Sequence, residues 1–276
     1  MFLVSGATGH VGEAIIRILG EAAEPVRALV RDTSRPGLDP RATWVRADLN
    51  DPSTVIEALP GATTMFVLAG YPGLPDILAA ARDAGVHRIV LLSSASAAGG
   101  DTSNAIAKYH IESEQAIHDS GLPYAFLRPA TFMTNTLQWA PTIREGGVVQ
   151  ATFPDVATAL IDPRDIAAVA VTALSETGTK SHIHRLSGPQ AMTPKDRVDV
   201  LSDVLGHRIG FAGLTDEQSA QVLHEQLPAA YAEANLKFFA EGTLDESPVL
   251  PTVEQLTGRP PTTFRQWCET HAPEFR

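Results

Sequence analysis

The residues most able to do chemistry as a set are three glycines. Gly6-Ala7-Thr8-Gly9-His10-Val11-Gly12 carries glycine at every third position. It follows the apolar run Phe2–Val4 and precedes an amphipathic stretch, Val11–Leu19, with Val11, Ile15, Ile16 and Leu19 on one face. Strand, glycine-rich turn and helix in that order form the setting in which such a motif binds a pyrophosphate. Gly6 permits the tight turn, Gly9 lets backbone approach the phosphates, and Gly12 lets helix and strand pack closely. Thr8, His10 and Val11 complete the turn and the helix start, whose N–H groups and positive dipole end face an anion. A second strand, Val26–Val30, ends in Arg31-Asp32, with Arg35 soon after. At this place a carboxylate reaches a ribose 2′-OH and an arginine a 2′-phosphate. Two arginines favour NADP(H), and Asp32 keeps NAD as the minor alternative. Asp48, with Leu49 beside it, ends a third strand, where it can either reach an adenine amino group or cap the next helix.

Other reactive residues are scattered. His182 and His184 share one face of a strand expected at His182–Leu186, but no third ligand lies near them in sequence, so no metal site is expected. Cys268 is the single cysteine; it excludes an internal disulfide framework and reads as packing beside Trp267. Asp162, Arg164 and Asp165 read as a cap plus an ion pair.

The elements that must position these groups alternate through the N-terminal half. Strands are expected at Phe2–Val4, Val26–Val30, Thr43–Val45, Thr64–Ala69, Arg88–Leu92 and Tyr124–Leu127. Helices are expected at Val11–Leu19, Pro52–Leu59, Leu74–Ala84 and Ala105–Ser120. This rhythm makes βαβ units, and strands apolar on both faces make a sheet covered on both sides. The fold class is α/β: a doubly wound parallel sheet of Rossmann type with a smaller C-terminal substrate lobe. Residues 1–130, completed by 155–188, form the dinucleotide-binding domain; 131–154 and 189–276 form the lobe. Ligands of such sheets lie at the carboxyl ends of the strands. That places Ala69, Gly70, Ser93 and Pro129 beside the cofactor and Tyr71, Ser96, Thr131, Phe132, Asn135, Trp139 and Phe153 beside a substrate. Asn135 reads equally as a carboxamide or carbonyl binder and as a loop cap. Among the aromatics, Tyr231, Phe238 and Phe239 lie beyond this set, and each alone is more often core than pocket.

Composition sets the outer bounds. The chain has 276 residues, 44% hydrophobic and 19% charged, with a net charge of −11. It can bury a sizeable core, and it lacks the basic face that a nucleic-acid partner needs. No leader-like start and no run of about 18 apolar residues is present, so a cytoplasmic protein without a membrane partner is expected. The sequence leaves the oligomeric state open.

The glycine motif, Val30-Arg31-Asp32, Ala47-Asp48-Leu49 and Leu91-Leu92-Ser93-Ser94 together resemble the short-chain dehydrogenase/reductase superfamily. Gly121-Leu122-Pro123-Tyr124 with Leu127-Arg128-Pro129-Ala130, Ile161-Asp162-Pro163-Arg164-Asp165-Ile166-Ala167, Leu186-Ser187-Gly188-Pro189 and Thr263-Phe264 resemble its atypical, NmrA-like branch. The resemblance implies an NADPH-dependent oxidoreductase, a quinone reductase or ketoreductase acting on a small, aromatic molecule. It also implies a serine after the fifth strand and a Tyr-x-x-x-Lys pair on the long helix, and this sequence lacks that set. With Tyr109 as the tyrosine, Ser113 stands where lysine belongs. The preferred register, anchored on Glu114-Gln115-Ala116-Ile117, puts His110 at the lysine position and Ile106 at the tyrosine position. The serine position falls on Ala95, with Ser94 or Ser96 as substitute. His110, Ser94 and Tyr109 are thus the catalytic candidates. His110, with an ordinary pKa near 6.5, could donate a proton at neutral pH or simply bind the ribose. The broken pair also fits a second class, an NADP(H)-sensing regulatory protein without turnover. A nucleotide-sugar epimerase is disfavoured, because its chemistry leans on the missing pair.

Overall fold

A computed structural model describes residues 1–276. In chain order the elements are β1 (Phe2–Val4), α1 (His10–Glu21), β2 (Val26–Val30), β3 (Thr43–Arg46), α2 (Pro52–Ile56), β4 (Thr64–Leu68), α3 (Leu74–Asp83), β5 (Arg88–Leu92), α4 (Ala105–Asp119) and β6 (Tyr124–Pro129). They continue with α5 (Ala140–Arg144), β7 (Val148–Ala151), α6 (Pro163–Ser175), β8 (His182–Leu186), α7 (Pro194–Leu205), β9 (Gly210–Gly213), α8 (Asp216–Gln226), α9 (Ala229–Phe239), α10 (Thr252–Thr257) and α11 (Phe264–His271). No helix is long and apolar enough to cross a membrane.

The chain divides into two compact units. The first comprises Met1–Gly100, Lys108–Arg128 and Pro163–Arg185. Its sheet has seven strands in the order β3-β2-β1-β4-β5-β6-β8. The pairings among β1 to β6 are parallel, with Phe2 opposite both Val26 and Thr64. The strand order reverses at β1, which puts the carboxyl ends of β1 and β4 at the switch point where doubly wound sheets bind ligands. Met65, Phe66, Val67, Ile89, Val90 and Leu91 are all sealed from solvent, as central parallel strands require. Helix α1 packs on α6, and the alanines Ala14, Ala167, Ala170 and Ala173 lie on their buried faces.

The second unit comprises Asp101–Ala107, Pro129–Asp162 and Leu186–Arg276. It holds a two-stranded parallel sheet, β7 with β9. Trp267, Phe264, Phe275, Cys268, Trp139 and Met133 belong to its core. The rings of Phe264 and Trp267 stack at 5.6 Å. Thr193, Thr215 and Thr263 each start a helix with a reciprocal capping box. Between α8 and α9 the chain breaks, because Leu227 turns extended before Pro228. The segment before α6 forms only isolated bridges, Phe132 with Ile161 and Thr158 with Met192. Burial pushes the Cys268 thiol up to about 12, so it packs and does not react.

Gly188 is the tightest point of this unit. A Cβ there would stand 1.8 Å from the Leu160 carbonyl oxygen, and its N–H donates to Ala159 O at 3.0 Å. Gly188→Ala must push backbone apart. We expect it to cost about 2–3 kcal/mol and to lower the melting temperature by roughly 5–10 °C, read by thermal unfolding.

Candidate functional site

In the first unit a cleft of about 260 Å³ opens at the carboxyl ends of β1 to β4. Its floor is the glycine turn, Ser5 to Gly9; Leu29, Val30 and Arg31 form one wall, and Ala47, Asp48, Leu49, Asn50 and Val55 another, with Leu68 and Tyr71 closing the far side. Gly6 has φ +59°, and a Cβ on it would meet Leu68 Cδ1 at 2.6 Å. A Cβ on Gly12 would stand 2.2 Å from the Gly6 carbonyl oxygen. Both positions are therefore glycine by necessity. Gly9 N–H donates to Gly6 O at 3.0 Å and closes the turn. Gly9 is also the N-cap of α1, and no side chain caps that end. The helix start thus presents free N–H groups to the cleft, the donor set a pyrophosphate takes.

The charged residues after the second strand are engaged differently. Asp32 accepts from the Ser34 N–H at 2.9 Å and the Ser34 hydroxyl at 2.6 Å. Those bonds hold its carboxyl below the usual range and engage it in its own loop. Arg31 lines the cleft and is exposed, with no carboxylate upon it. Arg35 is exposed beyond the lining. Asp48 accepts from Asn50 N at 2.9 Å and Asn50 Nδ2 at 3.1 Å, so its carboxylate holds the turn after β3. The sequence did not single out Ser5, Ala7 or Asn50 as lining residues, and Tyr71, expected beside a substrate, lines this cleft.

A buried polar network lies farther along the sheet. The Ser93 hydroxyl donates to Glu114 Oε1 at 2.5 Å. Arg128 grips the same carboxylate with both arms of its fork, Nε to Oε1 at 2.8 Å and Nη2 to Oε2 at 2.5 Å. The carboxylate raises the guanidinium pKa, and the bidentate pair fixes α4 against β6. Sequence spacing gave no sign of this network. Ser94 accepts from Ser96 N at 3.1 Å and from the Ser96 hydroxyl at 2.9 Å, capping the 3-10 turn Ala95–Gly99. Both bonds use Ser94 as acceptor, so its own proton is the one left to give. Ser113 donates to Tyr109 O at 2.7 Å and accepts from Gly70 N at 2.9 Å. It brackets the exit of β4 to α4, and the Tyr109 ring lies over Gly70, where an added Cβ would meet Cδ2 at 3.2 Å.

The rings of Tyr109 and His110 lie 4.2 Å apart. Burial pulls the His110 imidazole down to about 4. The ordinary value near 6.5 therefore does not hold, and His110 is neutral at pH 7 because desolvation disfavours its cation. Its Nδ1 is enclosed and meets no hydrogen-bond partner within the protein. A neutral imidazole can hydrogen-bond a hydroxyl but is not a strong proton source.

In the second unit, Thr131 donates through its N–H at 3.2 Å and its hydroxyl at 2.5 Å to Glu246 Oε2. Burial pushes the Glu246 carboxyl up. Phe132 is half-buried, Asn135 is exposed, and Trp139 and Phe153 are buried. Phe153 takes φ +50° and packs its ring 5.5 Å from Phe239. In the first unit, His182 and His184 stack at 5.6 Å, and no group of three His, Cys, Asp or Glu side chains is disposed to hold a metal.

Comparisons with known proteins agree with this geometry. A family model described as NAD(P)H-binding matches residues 6–177. The chain is 41% identical to the (4-alkanoyl-5-oxo-2,5-dihydrofuran-3-yl)methyl phosphate reductase of Streptomyces griseus, covering 100% of this chain and 99% of that one. It is 35% identical to an NAD(P)H azoreductase of Xenophilus azovorans, over 100% of this chain and 99% of the relative. An NADPH-dependent quinone oxidoreductase of Escherichia coli, solved with NADPH, superposes with a TM-score of 0.82 at 26% identity, covering 98% and 99% of the two chains. The chain belongs to the NAD(P)H-binding family, in the atypical, NmrA-like branch of the short-chain dehydrogenase/reductases. It is an NAD(P)H-binding oxidoreductase with a Rossmann fold.

Arg31→Ala removes the only cation lining the cleft. We expect NADPH to bind about tenfold more weakly and NADH to change by less than about twofold, measured by fluorescence titration of both cofactors.

Proposed function

We propose that this chain is an NADPH-dependent reductase of small quinones and conjugated ketones or lactones, acceptors whose hydride adduct is a delocalised anion. The observation that carries this reading is the proton inventory of the first unit: the Tyr–Lys pair is broken, and the histidine in the lysine position is held neutral. A simple ketone becomes an alkoxide on receiving hydride and needs a proton as it forms. A quinone or an acyl-substituted unsaturated lactone becomes a stabilised oxyanion, closer to the tyrosine range of about 10, and can wait for solvent. The printed activities of the relatives, on an acyl dihydrofuranone phosphate, a quinone and an azo compound, support the same acceptor type.

NADPH bound here would supply hydride from its nicotinamide ring; the acceptor carbon gains the C–H bond, its displaced electron pair moves to oxygen, and water supplies the proton. The protein's part is binding and orientation. The glycine turn and the start of α1 hold the pyrophosphate. Arg31 reaches the 2′-phosphate. Ser94 offers its hydroxyl proton as a hydrogen bond to the acceptor oxygen. His110 hydrogen-bonds a ribose hydroxyl. The Arg128–Glu114 pair positions Ser93 and the turn behind it. We place this activity in the cytoplasm, in keeping with the single buried thiol.

The test is NADPH oxidation with 2-methyl-1,4-naphthoquinone, a 4-alkanoyl-5-oxo-2,5-dihydrofuran and acetophenone. We expect the first two to be reduced and acetophenone to react at least about a hundredfold more slowly, the usual worth of a general acid. Equal rates on all three would contradict the reading. NADPH binding without oxidation by any acceptor would favour the regulatory class instead.

A further inference from the structure

One wall of the cofactor cleft comes from neither the phosphate turn nor the ends of β2 and β3. Leu68 ends β4 and Tyr71 follows it, and both line the cleft that Asp48, Leu49 and Asn50 bound elsewhere. Tyr71 is half-buried and packs against the core that contains Leu49, Val55 and Leu74. It is therefore a fixed wall, held by packing, and not a free rim residue.

The loop that carries Tyr71 is anchored at both ends. At the near end the Gly70 N–H donates to the Ser113 hydroxyl at 2.9 Å, and that hydroxyl donates on to Tyr109 O at 2.7 Å. Ser113 is buried on α4. Gly70 takes φ +92°, a conformation that side chains resist, and the Tyr109 ring lies over it. At the far end Leu74 N donates to Tyr71 O at 3.1 Å. Gly73 there lies so close to Pro52 that a Cβ would meet its Cγ at 2.2 Å. Only Tyr71 and Pro72 lie between the anchors, and the proline ring fixes its own φ. Release of Gly70 from Ser113 is thus the one way for this loop to loosen without breaking a close packing contact.

The cleft suits the adenosine half of a dinucleotide. A pyrophosphate belongs at the start of α1 and the ribose 2′ position at the end of β2. Ser93 and Ser94, which follow β5, are not among its walls. Tyr71 therefore faces adenosine, and not the acceptor expected from its place after the fourth strand.

We propose that Ser113 latches Gly70 to α4 and so holds the Tyr71 ring against the adenosine half of the bound cofactor. The residue at the lysine position of the Tyr109 register is then a positioning residue for cofactor binding, and no proton passes through it. The proposal rests on the reading of this cleft as the NADP(H) site.

The experiment is calorimetric titration of the full chain with NADP⁺ and with 2′-phospho-ADP-ribose, the same molecule without its nicotinamide. We expect Tyr71→Ala to weaken both by a common factor of at least about ten, the usual worth of an aromatic face beside a base. Ser113→Ala should weaken both about threefold to tenfold, the net worth of one hydrogen bond. Alanine favours a helix interior, so this variant keeps α4, and its melting temperature checks that it does. In the Tyr71→Ala background, Ser113→Ala should change either affinity by less than about twofold, because its effect runs through the ring. An NADP⁺ affinity unchanged in Tyr71→Ala, with the KM for 2-methyl-1,4-naphthoquinone raised instead at saturating NADPH, would return Tyr71 to the acceptor. Losses that multiply in the double variant would break the link between Ser113 and Tyr71. The reading of the cleft fails separately, if 2′-phospho-ADP-ribose does not bind the unaltered protein at all. NADP⁺ binding without turnover on any acceptor would defeat the reductase reading and leave these affinities to decide the latch.

Discussion

The approach of Gly12 to the Gly6 carbonyl is the constraint on which the rest depends. No side chain fits at position 12, because a Cβ would stand 2.2 Å from that oxygen. The contact lets α1 begin directly on the turn that leaves β1, with its first N–H groups uncapped and turned to the cleft. Gly6, at φ +59° and pressed against Leu68, sets the direction of the turn and links it to β4. The parallel core of β1, β4 and β5 is sealed and cannot shift to relieve a larger residue. The shape of the phosphate turn is in this sense a property of the backbone.

The electrostatics follow a second rule: buried ions are paired, and buried titratable groups that lack a partner lose their charge. Glu114 holds both Arg128 and the Ser93 hydroxyl. His110, without a carboxylate, is held neutral. This combination provides a rigid, weakly acidic surface, suited to acceptors that carry their own electron sink. It explains how a member of this superfamily can lack the Tyr–Lys pair and still have work for its cofactor.

Much of the sheet was legible in the sequence, since apolar runs of three to six residues alternating with helical periods leave few arrangements. The phosphate turn was legible for the same reason: its glycines stand between a strand and a helix. The β7–β9 pair was not, because Val148–Ala151 and Gly210–Gly213 are short and lie about sixty residues apart. Nor were the polar pairs Ser93–Glu114 and Thr131–Glu246, separated by 21 and 115 residues. Spacing along a chain carries no distance across a fold. The ionisation of His110 is not legible for a related reason: burial, which sets it, is a property of the packed structure.

The central claim is that hydride moves without a protein proton donor of ordinary strength. The direct measurement is a pair of isotope effects on the reduction of 2-methyl-1,4-naphthoquinone under single-turnover conditions, taken across roughly pH 5.5 to 8.5. One uses NADPH deuterated at C4, the other uses deuterated water. The account predicts a full primary effect from the cofactor, no effect from the solvent, and a flat pH profile, since His110 titrates near 4 and lies outside the range. A large solvent effect together with a rate that falls as a group near pH 6.5 loses its proton would contradict it, and would restore His110 as the acid.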